Sequence, residues 1–312
     1  MFIFLLLLVI AGGSAFGYTR FQSERIEAQF PPAGEFAEVA GVRLHYVDRP
    51  VEGSDKPPVV FLHGASGNLN DQRVAFESQL ADSRRLIFID RPGHGYSQRG
   101  GAETPAQQAD LIAGLLEQLG IEKAVIVGHS LGSASTAALG VLYPEKVQGL
   151  VFLAPATHEW PGGVTWYYSI ASIPVIGELF TETLTLPVGN AALETGTKAV
   201  FDPNTAPEGY VERAAIPLFL RPSVFRANAR DVANLKTFVA DFAKRYPEIE
   251  APTVIITGDT DDIVAPSIHS IGLERDIKGA ELVILPGVGH KPDYVATDRI
   301  IEAIDKVSAI KR

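Results

Sequence analysis

Short apolar runs alternate with longer amphipathic stretches through most of this chain. Four-residue runs with no polar break read as buried strands at Val59–Leu62, Leu86–Ile89, Ala124–Val127 and Leu150–Leu153, and again, closed by a threonine, at Val254–Thr257, and at Leu282–Leu285. Between them, apolar positions recur at helical spacing over roughly 71–81, 104–119, 131–142, 228–245, 266–275 and 293–310. Strands that are apolar on both faces, separated by helices, predict βαβ units and a mostly parallel sheet flanked by helices. Ahead of them, Ala37–Ala40 and Val42–Asp48 around Gly41 predict a β-hairpin.

The rhythm breaks twice. From Pro155 to about Asn228 the strand pattern stops and aromatics and prolines accumulate, including Trp160, Trp166, Tyr167, Tyr168, Phe180, Phe201, Tyr210, Phe219 and Phe225. We expect a mainly helical cap there, at about 156–228, inserted into a domain spanning 36–312. At the other end, residues 2–19 carry no charge, and Phe2–Ala11 is almost wholly apolar. As a helix, residues 2–18 reach about 25 Å, slightly short of the roughly 30 Å hydrocarbon core of a bilayer. The segment 1–19 is therefore expected to be a single-pass membrane anchor, with 20–35 as a polar linker closed by Pro31 and Pro32. The alternatives are a signal segment cleaved near Gly13–Gly17, leaving a secreted or periplasmic protein, and a buried helix. Arg20 and Arg25 are offset by Glu24 and Glu27, which leaves the side of the membrane open.

Composition narrows the partners. A formal net charge of -10 with no dense basic run speaks against nucleic acid and for a small-molecule substrate. The absence of cysteine removes disulfides, thiolate nucleophiles and cysteine-based metal sites. His45, His158 and His269 lack ligand spacing, and neither a metal nor an organic cofactor is expected.

In open α/β sheets, functional groups collect beyond the carboxyl ends of the strands. The predicted strand ends are followed by His63-Gly64-Ala65-Ser66-Gly67, by Asp90-Arg91-Pro92-Gly93-His94, by Gly128-His129-Ser130-Leu131-Gly132, by Gly258-Asp259-Thr260-Asp261-Asp262 and by Gly287-Val288-Gly289-His290. The third has the strand, sharp turn and helix of a nucleophile elbow, with Ser130 at its apex and glycines, Gly128 and Gly132, where side chains collide with the neighbouring strand and helix. A serine hydroxyl is a poor nucleophile at neutral pH without a nearby base, and His290 fits that role by position. His63, His94 and His129 are expected to hold their loops.

In their order Ser, Asp, His, and in their places at strand ends, these motifs resemble the α/β-hydrolase superfamily over roughly residues 37–310, with a helical cap inserted after the sixth strand of that fold. The resemblance implies Ser130 as nucleophile, His290 as base, and an aspartate that fixes the histidine's tautomer. It selects Asp261, three positions after Gly258, leaving Asp259 to cap the turn and Asp262 to face solvent. It also implies an oxyanion hole from the backbone N–H groups of Ala65 and Leu131, and a side chain at Lys291 that points away from the nucleophile. Epoxide hydrolases and haloalkane dehalogenases of this superfamily use aspartate where this chain has Ser130, so neither activity is expected.

The leading expectation is a serine esterase acting on carboxylic esters with apolar groups. A carbon-carbon bond hydrolase and a cofactor-free haloperoxidase or perhydrolase need a similar triad and stay open. A non-catalytic binding protein does not explain three complete functional groups in order.

Overall fold

The computed structural model describes residues 2–310, with side chains from Ile10 onward. Eight strands form one sheet: β1 (Glu35–Val39), β2 (Val42–Arg49), β3 (Val59–Leu62), β4 (Leu86–Ile89), β5 (Ala124–His129), β6 (Val147–Leu153), β7 (Thr253–Gly258) and β8 (Glu281–Leu285). Their spatial order is β1-β2-β4-β3-β5-β6-β7-β8. The hairpin partners β1 and β2 and the β2/β4 pair are antiparallel, and every other pairing is parallel.

The apolar runs are explained by what covers the two faces. Val60, Leu62, Ile87, Ile89, Ile126, Leu150, Phe152 and Ile255 point into one core. Their alternates Val59, Phe61, Leu86, Phe88, Val125, Val127, Val151, Leu153, Val254 and Ile256 point into the other. A side-chain period of two with both sides dry leaves no polar position inside such strands. On the second face the rings of Phe76, Phe61 and Phe88 stack at 5.0 and 4.8 Å.

The helices are α1 (Phe2–Gln29), α2 (Leu69–Leu80), α3 (Pro105–Gln118), α4 (Gly132–Leu142), α5 (Trp166–Ser172), α6 (Ile176–Phe180), α7 (Leu186–Phe201), α8 (Tyr210–Arg213), α9 (Pro222–Phe242), α10 (Ser270–Asp276), α11 (Pro292–Val295) and α12 (Thr297–Ala309). Local sequence sets their starts. Thr104 accepts the Gln107 N–H at 3.3 Å ahead of Pro105, and Asn68 accepts the Asn70 N–H at 3.0 Å. The chain between β6 and β7 makes α5 to α9, a helical insertion at the carboxyl edge of the sheet.

The N-terminus differs from expectation. Residues expected to split into an anchor and a linker form one continuous helix, α1, and the small residues read as a cleavage site lie inside it. Among the described residues, no helix is long and apolar enough to cross a membrane. This overturns the single-pass anchor and the membrane localisation that went with it. Met1 and the side chains of residues 2–9 lie outside the described residues. The physical reason is in the second half of α1, which carries Arg20, Glu24, Arg25 and Glu27 and docks on protein. Ile26 is buried with Leu186, Ala215, Leu218 and Leu220 of the insertion. Glu27 accepts from Arg221 at 2.8 Å, and Tyr96 donates to the Phe30 carbonyl at 2.5 Å.

Candidate active site

The turn between β5 and α4 lies at the sheet's carboxyl edge. Ser130 sits there at φ +50°, a left-handed conformation unfavourable for a residue with a side chain. Its N–H is held by the Leu153 carbonyl at 2.9 Å on the adjacent strand. A Cβ on Gly132 would overlap the carbonyl oxygens of Leu62 and His63, and one on Gly128 would overlap the Thr136 hydroxyl. Both glycines are thus required by close approach of the backbone.

Three loops converge on this turn. Ser130 Oγ donates to His290 Nε2 at 3.0 Å, and His290 Nδ1 donates to Asp261 Oδ2 at 2.8 Å. The other carboxylate oxygen of Asp261 accepts the N–H groups of Ile263 and Val264, each at 2.9 Å. All three side chains are buried. Burial pulls the Asp261 carboxyl upward, but the His290 ring and the two backbone donors outweigh it and hold the pKa below the ordinary carboxylate value. Asp259 instead accepts the Gly287 N–H at 2.7 Å at the surface, and Asp262 is exposed.

Ala65 and Leu131 flank the serine in one apolar cluster with Ala134, Ala156, Trp160, Val264 and, from α9, Val232, Leu235, Phe238 and Val239. A Cβ on Gly64 would lie 3.1 Å from Ser130 Cβ, so the turn after β3 runs directly against the elbow. Among the described residues, the N–H groups of Ala65 and Leu131 donate to no protein acceptor. A cavity of about 380 Å³ opens beside His290, lined also by Lys198, Ala199, Asp202 and Ile263.

The remaining histidines near the site are framework. His63 Nδ1 donates to the Gly64 carbonyl at 2.8 Å while its Nε2 accepts the Arg91 N–H at 3.0 Å. His129 Nε2 donates to the His290 carbonyl at 2.9 Å. Burial, with Arg91 near His63 and His94 and with Lys291 near His129, holds all three well below the usual imidazole pKa and keeps them neutral.

Sequence reasoning missed a charged cluster behind His290. Lys291 does point away from Ser130, but into the protein, where it is buried against Asp71 at 2.9 and 3.1 Å and Asp293 at 3.0 Å. The rings of Tyr294, Tyr210 and Phe201 surround its ammonium at 5.1, 5.9 and 6.0 Å. Tyr210 donates to Asp71 at 2.9 Å. Burial pulls the Lys291 pKa down, but the two carboxylates outweigh it and hold it above the usual value. Burial pushes Asp293 up to about 6. Asp71, His129 and Asp293 each aim an atom suited to a metal at the same point, but the Lys291 ammonium already supplies the positive charge there. The available signal was a lysine and an aspartate around Pro292, two charges directly after His290.

Residues 57–292 match the family model for the alpha/beta hydrolase fold. The chain belongs to that family. It is 29% identical over 278 residues to a proline iminopeptidase of Pestalotiopsis fici, covering 86% of this chain and 97% of that protein. It is also 29% identical over 268 residues to a 2-hydroxy-6-oxononadienedioate/2-hydroxy-6-oxononatrienedioate hydrolase of Paraburkholderia phymatum, covering 83% and 88% of the two chains. In three dimensions it resembles a thermophilic esterase from Thermogutta terrifontis, with a TM-score of 0.69 at 21% identity over 88% of this chain and all of that one, a likeness of fold.

Proposed function

We propose that this hydrolase cleaves carboxylic esters with apolar groups through an acyl-enzyme on Ser130. The observation that carries the reading is the continuous hydrogen-bonded line from Ser130 Oγ through both nitrogens of His290 to Asp261, with Asp261 fixed by two further donors. His290 Nε2 takes the Ser130 proton as Oγ attacks the ester carbonyl carbon. The oxyanion that forms is met by the N–H groups of Ala65 and Leu131, each such donor being worth about 3 kcal/mol in the transition state. The tetrahedral species then collapses, His290 gives the proton to the leaving alkoxide, and the acyl group stays on Ser130. Water activated by the same histidine attacks the acyl carbon, a second tetrahedral species collapses, and the acid leaves while Ser130 regains its proton. Asp261 stays ionised and holds the imidazolium in its productive orientation.

The apolar cluster of Leu131, Ala156, Trp160, Leu235, Val239 and Val264 supports an apolar acyl or alcohol group beside the nucleophile. The helical insertion serves as a cap over a hydrolase domain of residues 36–312. A second reading, hydrolysis of a carbon-carbon bond, has the support of the Paraburkholderia relative named for that chemistry. The test is fluorophosphonate labelling with a panel of p-nitrophenyl esters and a ring-cleavage product. Labelling and ester turnover that Ser130→Ala abolishes, while circular dichroism is unchanged, are the expected result. Turnover that survives Ser130→Ala overturns the assignment, and Ser130-dependent turnover of the ring-cleavage product alone selects the second reading.

A further inference from the structure

The loop that carries Ala65 is held from outside the sheet. Ser66, the next residue, has φ +57°, a conformation that does not persist in a serine without outside support. That support comes from the insertion. Asn228 of α9, fully buried, accepts the Ser66 N–H through Oδ1 at 2.7 Å and donates to Ser66 Oγ through Nδ2 at 3.3 Å. Tyr168 of α5 shares a hydrogen bond with the same Oγ at 3.0 Å and packs on Phe225 of α9 at 5.8 Å between ring centres.

One turn along the same face of α9, Asp231 holds the loop a second way. Its carboxylate accepts from Arg91 at 2.9 Å, and Arg91 donates to the carbonyls of His63 at 2.8 Å and Gly64 at 3.3 Å. Arg99 bonds the other oxygen of Asp231 at 2.8 Å. Residues 63–66 are thus fixed on both sides of Ala65 by a single helix of the insertion. The peptide joining Ala65 to Ser66 is oriented by Asn228, and the peptide before Ala65 by Arg91.

We propose that Asn228 is a positioning residue for oxyanion binding: by holding the Ser66 N–H it fixes the carboxyl side of Ala65, while Arg91, held by Asp231, fixes the Gly64 carbonyl of the peptide that carries the Ala65 N–H, so the insertion completes the anion hole. The proposal rests on the reading of Ser130 as nucleophile and Ala65 as donor. It follows that docking of α9 contributes to the chemical step as well as to substrate binding. The effect belongs to the transition state, because the Ala65 donor is needed most when the carbonyl oxygen becomes negative.

The test compares Asn228→Ala with Ser66→Ala and Tyr168→Phe, using p-nitrophenyl ester turnover and inhibition by a trifluoromethyl ketone, whose serine adduct carries an oxyanion, and by the carboxylic acid product. Asn228→Ala is expected to lower kcat about 10- to 100-fold, part of the loss for deleting a donor outright, and to weaken the ketone by the same factor. KM and affinity for the product acid should stay within about threefold, since neither depends on a tetrahedral oxyanion. Ser66→Ala and Tyr168→Phe, which leave the Ser66 N–H bond in place, should stay close to the parent.

A folded Asn228→Ala protein with unchanged kcat and ketone affinity overturns the proposal, as does a Ser66→Ala variant equally damaged. Should Asn228→Ala not fold, Asn228→Asp carries the test: its carboxylate still accepts the Ser66 N–H, so kcat within about tenfold of the parent supports the proposal. A folded Asn228→Asp protein as inactive as Ser130→Ala overturns it. If the parent itself shows no Ser130-dependent labelling, the underlying reading of the site fails instead.

Discussion

His129 Nε2 donates to the main-chain carbonyl of His290 at 2.9 Å, so the residue before Ser130 holds the backbone of the residue whose ring accepts from Ser130. The two rings sit 5.0 Å apart. The distance between Ser130 and His290 is therefore set twice, once through side chains and once through the main chain behind them. The same backbone continues into Lys291, whose buried ion pairs tie it to α2 through Asp71.

Asp261 and Asp259 lie two residues apart in one loop and are expected to differ sharply on mutation. Asp261→Asn leaves His290 Nδ1 without its carboxylate, and kcat should fall by roughly 10⁴-fold with KM little changed. Asp259→Asn keeps an oxygen that accepts the surface Gly287 N–H and loses only the charge, so it should stay within about tenfold. Steady-state kinetics on both folded proteins check this. A mild Asp261→Asn beside a crippled Asp259→Asn contradicts the geometry.

Replacing Lys291 by Met should destabilise the fold strongly. It removes the cation between Asp71 and Asp293, both buried, and unpairing a buried charge costs about 3–5 kcal/mol. Denaturant unfolding is expected to report that loss. Adding Asp71→Asn and Asp293→Asn to Lys291→Met should recover most of it, because no ionised group is then left alone. A single variant as stable as the parent shows the cluster to be energetically neutral.

Removing residues 2–34 should lower stability. Ile26 covers Leu186, Leu218 and Leu220, and each large apolar side chain buried is worth about 1.5–3 kcal/mol. The ion pair in which Arg221 donates to Glu27 is lost with it. A truncated chain with the parent's Tm shows α1 to be dispensable to the domain.

Stability should decline as pH falls below about 6.5, the ordinary imidazole value. His63, His94 and His129 have depressed pKa values, so the unfolded chain takes up protons there that the folded one refuses. Asp293, raised to about 6, acts in the opposite sense, since the folded state holds its proton between about 4 and that value. His158 and His269, the latter lowered to about 4, act in the same sense as the three, so five groups against one leave a net loss of stability between pH 6 and 5. Calorimetry from pH 8 to 5 measures it, and a flat Tm across that range is the contrary outcome.

What the sequence determined by itself is whatever depends on short-range pattern. The strands were legible because both sheet faces are dry, which leaves runs such as Val59–Leu62 and Leu86–Ile89 without a polar position. The elbow was legible because the approach of Leu62 and His63 to Gly132 admits only hydrogen there, and such a constraint marks the sequence directly. The resemblance, counted from Gly258, pointed to Asp261, and the loop register at that strand end puts the Asp261 carboxylate, not that of Asp259, on His290 Nδ1.

Tertiary structure alone decided the rest. The charge-free stretch at residues 2–19 carries the same hydropathy whether a helix faces lipid or protein, and only the docking of Ile26 and Glu27 on the insertion showed where α1 goes. Lys291 met Asp71 across 220 residues of sequence, and Asn228 met Ser66 across 162. No periodicity reports such pairs. A buried charge or amide is stabilised by partners that the fold brings from elsewhere, so its role exists only once the chain has closed around it.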